Sequence, residues 1–185
     1  ERYDVGHVLH SGVENDTPEF AEFSAALGVI DSSLVAVAAG DSIALDERAR
    51  ATVLWPRPGP SPEDVNEASV VLRLDIAGQT ALLMGDAGAP VESALLAAGA
   101  AQPADILKVG HHGSRSATTA EFLAAIDPDD AIISVGKNRY GHPSPAALRR
   151  LETANVRTWR TDDRGDIRVI FTQNGYHIVP ARKIP

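Results

Sequence analysis

The chain has 185 residues, 44% of them apolar and 23% charged, with a formal net charge of −8. This length suffices for one packed domain, expected over residues 1–185, and the ordinary composition excludes a fibrous or wholly disordered chain. The absence of cysteine excludes disulfides, thiolate metal sites and cysteine nucleophiles, and the acidity argues against stable stand-alone binding to a nucleic-acid backbone.

No apolar run reaches the ~18 residues of a membrane span, and no charged-then-apolar leader is visible. Glu1-Arg2-Tyr3-Asp4, without an initiating Met, reads as the interior of a longer chain. Val5–Leu9 alternates weakly, as a short strand does. Phe20, Phe23 and Leu27 recur at helical spacing over Glu19–Leu27, with Thr17 as N-cap and Pro18 in the first turn. Leu34–Ala38 and Ser42–Leu45 flank Gly40-Asp41 and predict a hairpin, and Ala51–Trp55 predicts another strand. Pro56–Glu67 is rich in Pro, Ser, Asp and Glu and predicts a loop.

Ser69–Ile76 and Gln79–Met84 around Ala77-Gly78 give the strongest hairpin signal. A helix over Pro90–Ala98 stops at Gly99, and Asp105–Val109 reads as a buried strand. Ser116-Ala117-Thr118 is placed to cap a helix over Thr119–Ile126, which ends before Pro128. Ala131–Val135 is the next strand, and Ser144-Pro145 opens a helix through Leu148 and Leu151. Thr158–Thr161, Ile167–Thr172 and Tyr176–Val179 close the chain as strands, with a turn at Asn174-Gly175. The sum is an α/β (α+β) domain of mixed sheets with helices outside.

Two strand ends carry the chemistry. In Leu82-Leu83-Met84-Gly85-Asp86 a carboxylate follows an apolar run, and in Leu107-Lys108-Val109-Gly110-His111-His112-Gly113-Ser114 two imidazoles do. Side chains on such tips converge in the crevice at the carboxyl ends of strands. A carboxylate can bridge two cations and imidazole is the commonest metal ligand. The spacing leaves open whether His111 or His112 is the ligand, and whether Asp86 is only a turn residue. His142, in Asn138-Arg139-Tyr140-Gly141-His142-Pro143, suits a ligand, a general acid, a phosphate contact beside Lys137 and Arg139, or a structural turn. Asn66 and Ser69 suit either site lining or loop chemistry, and the acids of Thr161–Asp166 suit either a cap on the site or a solvated turn. His7, His10 and His177 are isolated.

The Ser69–Leu83 hairpin, Gly85-Asp86, Leu107–Ser114, Ile133–Gly136, Asn138–Pro143 and Thr161-Asp162 occur in an order that resembles the metallo-β-lactamase-like domain of the ComEC/Rec2 family of DNA-uptake competence proteins. The similarity runs from about Val65 to Val179. It implies a metallo-β-lactamase-like αββα four-layer sandwich with a metal site at one edge. It also implies hydrolysis of esters, amides or phosphodiesters by metal-activated water. Carried over, Asp86 is the metal-bridging carboxylate, His111 or His112 supplies a ligand, and His142 with His112 handles protons. Ser114, Lys137, Asn138 and Arg139 line the substrate side.

The superfamily's first motif, H-x-H-x-D-H, is missing from the sequence. It is expected upstream of Glu1, so this chain reads as lacking the motif-bearing N-terminal strands. Asn66 stands where many relatives carry a further histidine. Two divalent ions, Zn or Mn, are expected in the intact domain, and none necessarily in this fragment. The implied setting is the extracytoplasmic face of a bacterial inner membrane, as a soluble domain beside the channel portion of the same parent chain. Single-stranded or duplex DNA is the implied substrate. A non-catalytic module that docks on or gates the channel is the competing expectation. A different superfamily hydrolase, such as a phosphorylcholine esterase or lactonase, is the third.

Overall fold

The structure is a computed structural model that describes residues 5–13, 17–29, 33–59, 62 and 64–181. The predicted interior start at Glu1–Asp4 and residues 60, 61 and 63 of the predicted loop lie outside the described residues.

The organising element is a seven-stranded sheet. Its strands in spatial order are β3 (Ser42–Asp46), β4 (Ala49–Trp55), β5 (Val71–Ile76), β6 (Gln79–Leu83), β7 (Ile106–Lys108), β8 (Asp130–Ile133) and β9 (Arg157–Arg160). Neighbours from β3 to β6 are antiparallel, and β6 to β9 run parallel. The β5–β6 hairpin turns at Ala77 and Gly78, both with positive φ (51° and 89°), the conformation that matches a two-residue turn to strand twist.

Parallel neighbours need crossovers, and helices supply them. α2 (Ala89–Ala97) joins β6 to β7, α3 (Ala120–Ile126) joins β7 to β8, and α4 (Pro145–Thr153) joins β8 to β9. Ser144 caps α4 as the sequence predicts, its side chain accepting from the Ala147 amide. For α3 the cap is Thr119, not the Ser116–Thr118 stretch, because Thr119 Oγ1 meets the Phe122 amide at 3.3 Å. The helices bury Val91, Leu95, Phe122, Leu123, Ile126 and Leu151 against Val71, Leu82, Leu107 and Ile133 of the sheet. At roughly 25 cal/mol per Å² of apolar surface this core dominates the fold's stabilisation.

Two smaller sheets accompany the large one. β1 (His7–His10) pairs in parallel with β2 (Ser33–Ala36), connected through α1 (Pro18–Val29). Thr17 caps α1, accepting from the Phe20 amide at 3.2 Å. The predicted hairpin at Gly40-Asp41 does not form, because β2 turns to β1 and β3 turns to β4. The second small sheet is the hairpin of β10 (Ile167–Thr172) and β11 (Gly175–Pro180), as predicted. No helix among the described residues is long and apolar enough to cross a membrane.

Candidate functional site

The parallel strands all point their carboxyl ends at one edge. Asp86 follows β6, the histidine pair follows β7, the 136–142 loop follows β8, and α5 (Thr161–Arg164), a single helical turn, follows β9. The topology therefore delivers the residues singled out in the sequence to one crevice.

Asp86 is held by its backbone. Its amide donates to Ser69 Oγ at 3.0 Å. The preceding carbonyl of Gly85 accepts from the Lys108 ammonium at 2.7 Å and from the His111 amide at 3.1 Å. The carboxylate is thereby left facing the crevice. Burial lowers the Lys108 pKa, and the Asp86 charge opposes that. Gly85 has φ +55°, and a Cβ there would lie 2.9 Å from Ser69 Cβ, so its lack of a side chain is what lets Ser69 reach the turn.

The histidine turn is strained. His111 (φ 46°, ψ 45°) and His112 (φ 53°, ψ 24°) are both left-handed, which costs on the order of 1 kcal/mol for each non-glycine residue. Such outliers persist where the surroundings over-determine them and concentrate at functional sites. Gly110 is one of those surroundings, because a Cβ on it would collide with the Ala87 carbonyl oxygen. Gly110→Ala is expected to destabilise the fold by about 2 kcal/mol. Denaturant unfolding checks this, and an unfolding midpoint like that of the wild type would refute the close approach.

His112 Nδ1 lies 2.6 Å from the Ser134 carbonyl oxygen. A carbonyl only accepts, so Nδ1 carries the hydrogen and the neutral ring presents a lone pair on Nε2. That Nε2 faces Asp86 Oδ1 at 3.5 Å. His111 lies between the other two imidazoles, its ring centroid 6.5 Å from that of His112 and 5.6 Å from that of His142. Burial, then the neighbouring His111 and His112, lowers the His142 pKa, opposed by Asp86. His142 Nδ1 is buried without a hydrogen-bond partner.

The donor chemistry fits a divalent cation along one edge. Two acceptor atoms facing each other need a proton or a cation between them. Donors about 2.1 Å from an ion and 3.5 Å apart subtend roughly 110°, close to tetrahedral. A metal-bound histidine usually donates its other ring N–H to a carbonyl, as His112 does. His142 Nδ1 is a buried polar atom that an ion or a proton would satisfy. The set is not closed, however. Among the described residues no group of three or more His, Asp or Glu side chains is arranged around one ion position.

The residues expected on the substrate side divide. Lys137 is exposed and lines the cleft with His112 and His142, and Arg139 is exposed on the same loop with its guanidinium over the Tyr140 ring. Ser114 is only 4% exposed, and its hydroxyl is engaged with the Ser116 hydroxyl and amide, so it shapes the turn and does not face substrate. The Asn138 amide is used up within its own loop. Nδ2 donates to the Gly136 and His142 carbonyls, and Oδ1 accepts from the Tyr140 and His142 amides. Asn138 therefore fixes the loop's shape.

Ser69, which the sequence leaves as site lining or loop chemistry, supports the Asp86 turn, and so does Lys108, which the sequence does not single out. Thr161 Oγ1 accepts from the Val135 amide at 2.7 Å and donates to the Val135 carbonyl, tying the end of β8 to β9. Asp162 pairs with Arg160 at 2.6 Å, which holds its carboxyl below the usual range and fits the solvated acidic turn. A lysine inside an apolar strand was the available signal for Lys108, since a half-buried lysine needs a partner.

Residues 57–137 match the metallo-beta-lactamase superfamily, a span holding Asp86 and both paired histidines and ending before His142. Over 147 residues the chain is 35% identical to ComE operon protein 3 of Bacillus subtilis (strain 168), covering 74% of this chain and 19% of that protein. It is 34% identical over 114 residues to Competence protein ComA of Neisseria gonorrhoeae, covering 60% of this chain and 16% of the relative. The chain thus spans less than a fifth of the length of these curated relatives. Among solved structures, a mutant of the CmlA beta-hydroxylase superposes with a TM-score of 0.50 at 14% identity, covering 84% of this chain and 38% of that one. At that identity the likeness concerns the fold.

Proposed function

Since the chain belongs to the ComEC/Rec2 family of competence proteins through its metallo-β-lactamase-like domain, we propose that it is a metal-dependent phosphodiesterase domain acting on DNA during uptake. The single observation that carries this reading is the facing pair of acceptors, Asp86 Oδ1 and His112 Nε2, at the ends of two adjacent parallel strands.

Asp86 and His112 would hold a divalent ion, Zn or Mn, with His111 and His142 beside them. A full two-metal set needs donors beyond these. Bound ions supply Lewis acidity and a more acidic attacking water. The protein's own residues do the rest. Ser134 fixes the His112 ring through Nδ1, and Lys108 and Ser69 fix the Asp86 turn. Lys137 and Arg139 steer a phosphodiester to the crevice despite the net charge of −8. With His112 engaged at both ring nitrogens, His142 passes a proton to the leaving oxygen. The parent setting is a domain of a bacterial inner-membrane protein on the extracytoplasmic face, beside a DNA channel.

The chain is expected to take up Mn²⁺ or Zn²⁺ in calorimetric titration, to cleave DNA with the metal and to be silent after chelation. The open donor set favours a second reading, a non-catalytic module that docks on or gates the channel. Absence of both metal uptake and cleavage would move the assignment to it. Cleavage of phosphorylcholine esters or lactones in preference to DNA would point to another hydrolase.

A further inference from the structure

Beside the histidines stands an aromatic ring that the proposed hydrolysis does not use. Tyr140 is 73% exposed, more than any other exposed large apolar or aromatic residue among the described ones. Aromatics are scarce here, with 2 Trp, 3 Tyr and 4 Phe in the chain. Several of the others are committed inward: Phe122 is buried, Trp55 donates to the Glu67 carbonyl, and Trp159 and Tyr176 donate to Asp130. Leaving a tyrosine in water on a loosely held loop would need no explanation. This loop is not loosely held, because the four Asn138 hydrogen bonds fix it and one of them fixes the Tyr140 amide itself.

The ring's neighbours have the chemistry that recognises a nucleotide. Tyr140 lies near-parallel to the His142 ring, with centroids 6.1 Å apart and planes inclined by 25°. The Arg139 guanidinium is 6.0 Å from the Tyr140 centroid. Tyr140, Lys137, His112 and His142 all line one cleft of about 220 Å³. An exposed aromatic flanked by cations is how proteins hold unpaired bases, with the ring taking the base's face and the cations its backbone. A base in a duplex has both faces covered and must be flipped out first.

Resting on the phosphodiesterase reading, we infer that Tyr140 is the stacking platform for an unpaired nucleobase and makes the site selective for single-stranded DNA. The test is fluorescence anisotropy at low ionic strength with metal chelated, using a labelled oligothymidylate and an abasic strand of equal length. Tyr140→Ala is expected to weaken oligothymidylate binding about tenfold, to leave abasic-strand binding unchanged, and to be rescued by Tyr140→Phe. An equal loss on both strands, or no loss on either, overturns the inference. Wild-type protein that binds both strands equally while its DNA cleavage still depends on metal overturns the inference alone. Wild-type protein that binds neither strand removes the DNA reading and the inference with it.

Discussion

Asp86→Ala is expected to lower metal-dependent DNA cleavage by about 10²–10³-fold while changing stability by less than about 1 kcal/mol. The two halves of that expectation come from different atoms. The carboxylate faces His112 across 3.5 Å, and its side chain is about a third exposed. The turn that carries it is held by Ser69 Oγ on the Asp86 amide and by Lys108 and the His111 amide on the Gly85 carbonyl. Removing the carboxylate therefore deletes the proposed ligand and leaves the scaffold in place. His177→Ala is the control, because His177 lies on β11 beside Asp130, at the amino end of β8 and so away from the crevice. Retention of more than about a tenth of wild-type activity in Asp86→Ala would refute a metal role for this carboxylate. An equal loss in His177→Ala would point to general damage.

What the sequence made legible was punctuation. Ala77-Gly78, Ser144-Pro145, Thr17-Pro18 and Asn174-Gly175 are local signals, and each produces the predicted turn or cap. Gly40-Asp41 is an equally local signal, and there the pairing is decided elsewhere: β2 finds a partner more than twenty residues upstream in β1. Propensity does not encode that competition.

At the site, Asp86 and the histidine pair were visible because each ends an apolar run beside glycine. Which imidazole faces Asp86 was not visible, since it depends on the left-handed backbone of both histidines and on a carbonyl from the next strand, Ser134. Ser114 and Asn138 have the polar side chains of substrate-binding residues. Only burial and hydrogen-bond satisfaction reveal that both are spent on shaping their own loops.

Asp130→Ala is expected to destabilise the fold by about 3 kcal/mol at neutral pH, through a cluster unrelated to the crevice. The Asp130 side chain is 1% exposed. Oδ1 accepts from Arg157 Nε and Trp159 Nε1 at 3.0 and 2.7 Å, and Oδ2 accepts from an Arg157 terminal nitrogen and the Tyr176 hydroxyl at 2.7 and 2.6 Å. Arg157 remains 68% exposed, so water screens its charge and its ion pair adds little. Most of the loss comes from stranding the half-buried Trp159 and Tyr176 donors, and the β10–β11 hairpin loses the tie made by Tyr176. Hydrogen exchange in Ile167–Pro180 should accelerate first. Tyr176→Phe, which removes one donor, is expected to cost only about 1 kcal/mol.

The pH dependence gives a second check. Burial alone would raise the Asp130 pKa, but the hydrogen bonds from Arg157, Tyr176 and Trp159 outweigh it and hold the carboxyl below the usual range. A depressed folded-state pKa means stabilisation that is complete above the unfolded value, near about 3.9, and is lost as pH falls through the folded one. The stability gap between wild type and Asp130→Ala should therefore be constant from pH 7 down to about 5 and narrow below about 4. A gap that instead widened in acid would show that the buried group is protonated at neutral pH and that the cluster is held by neutral hydrogen bonds.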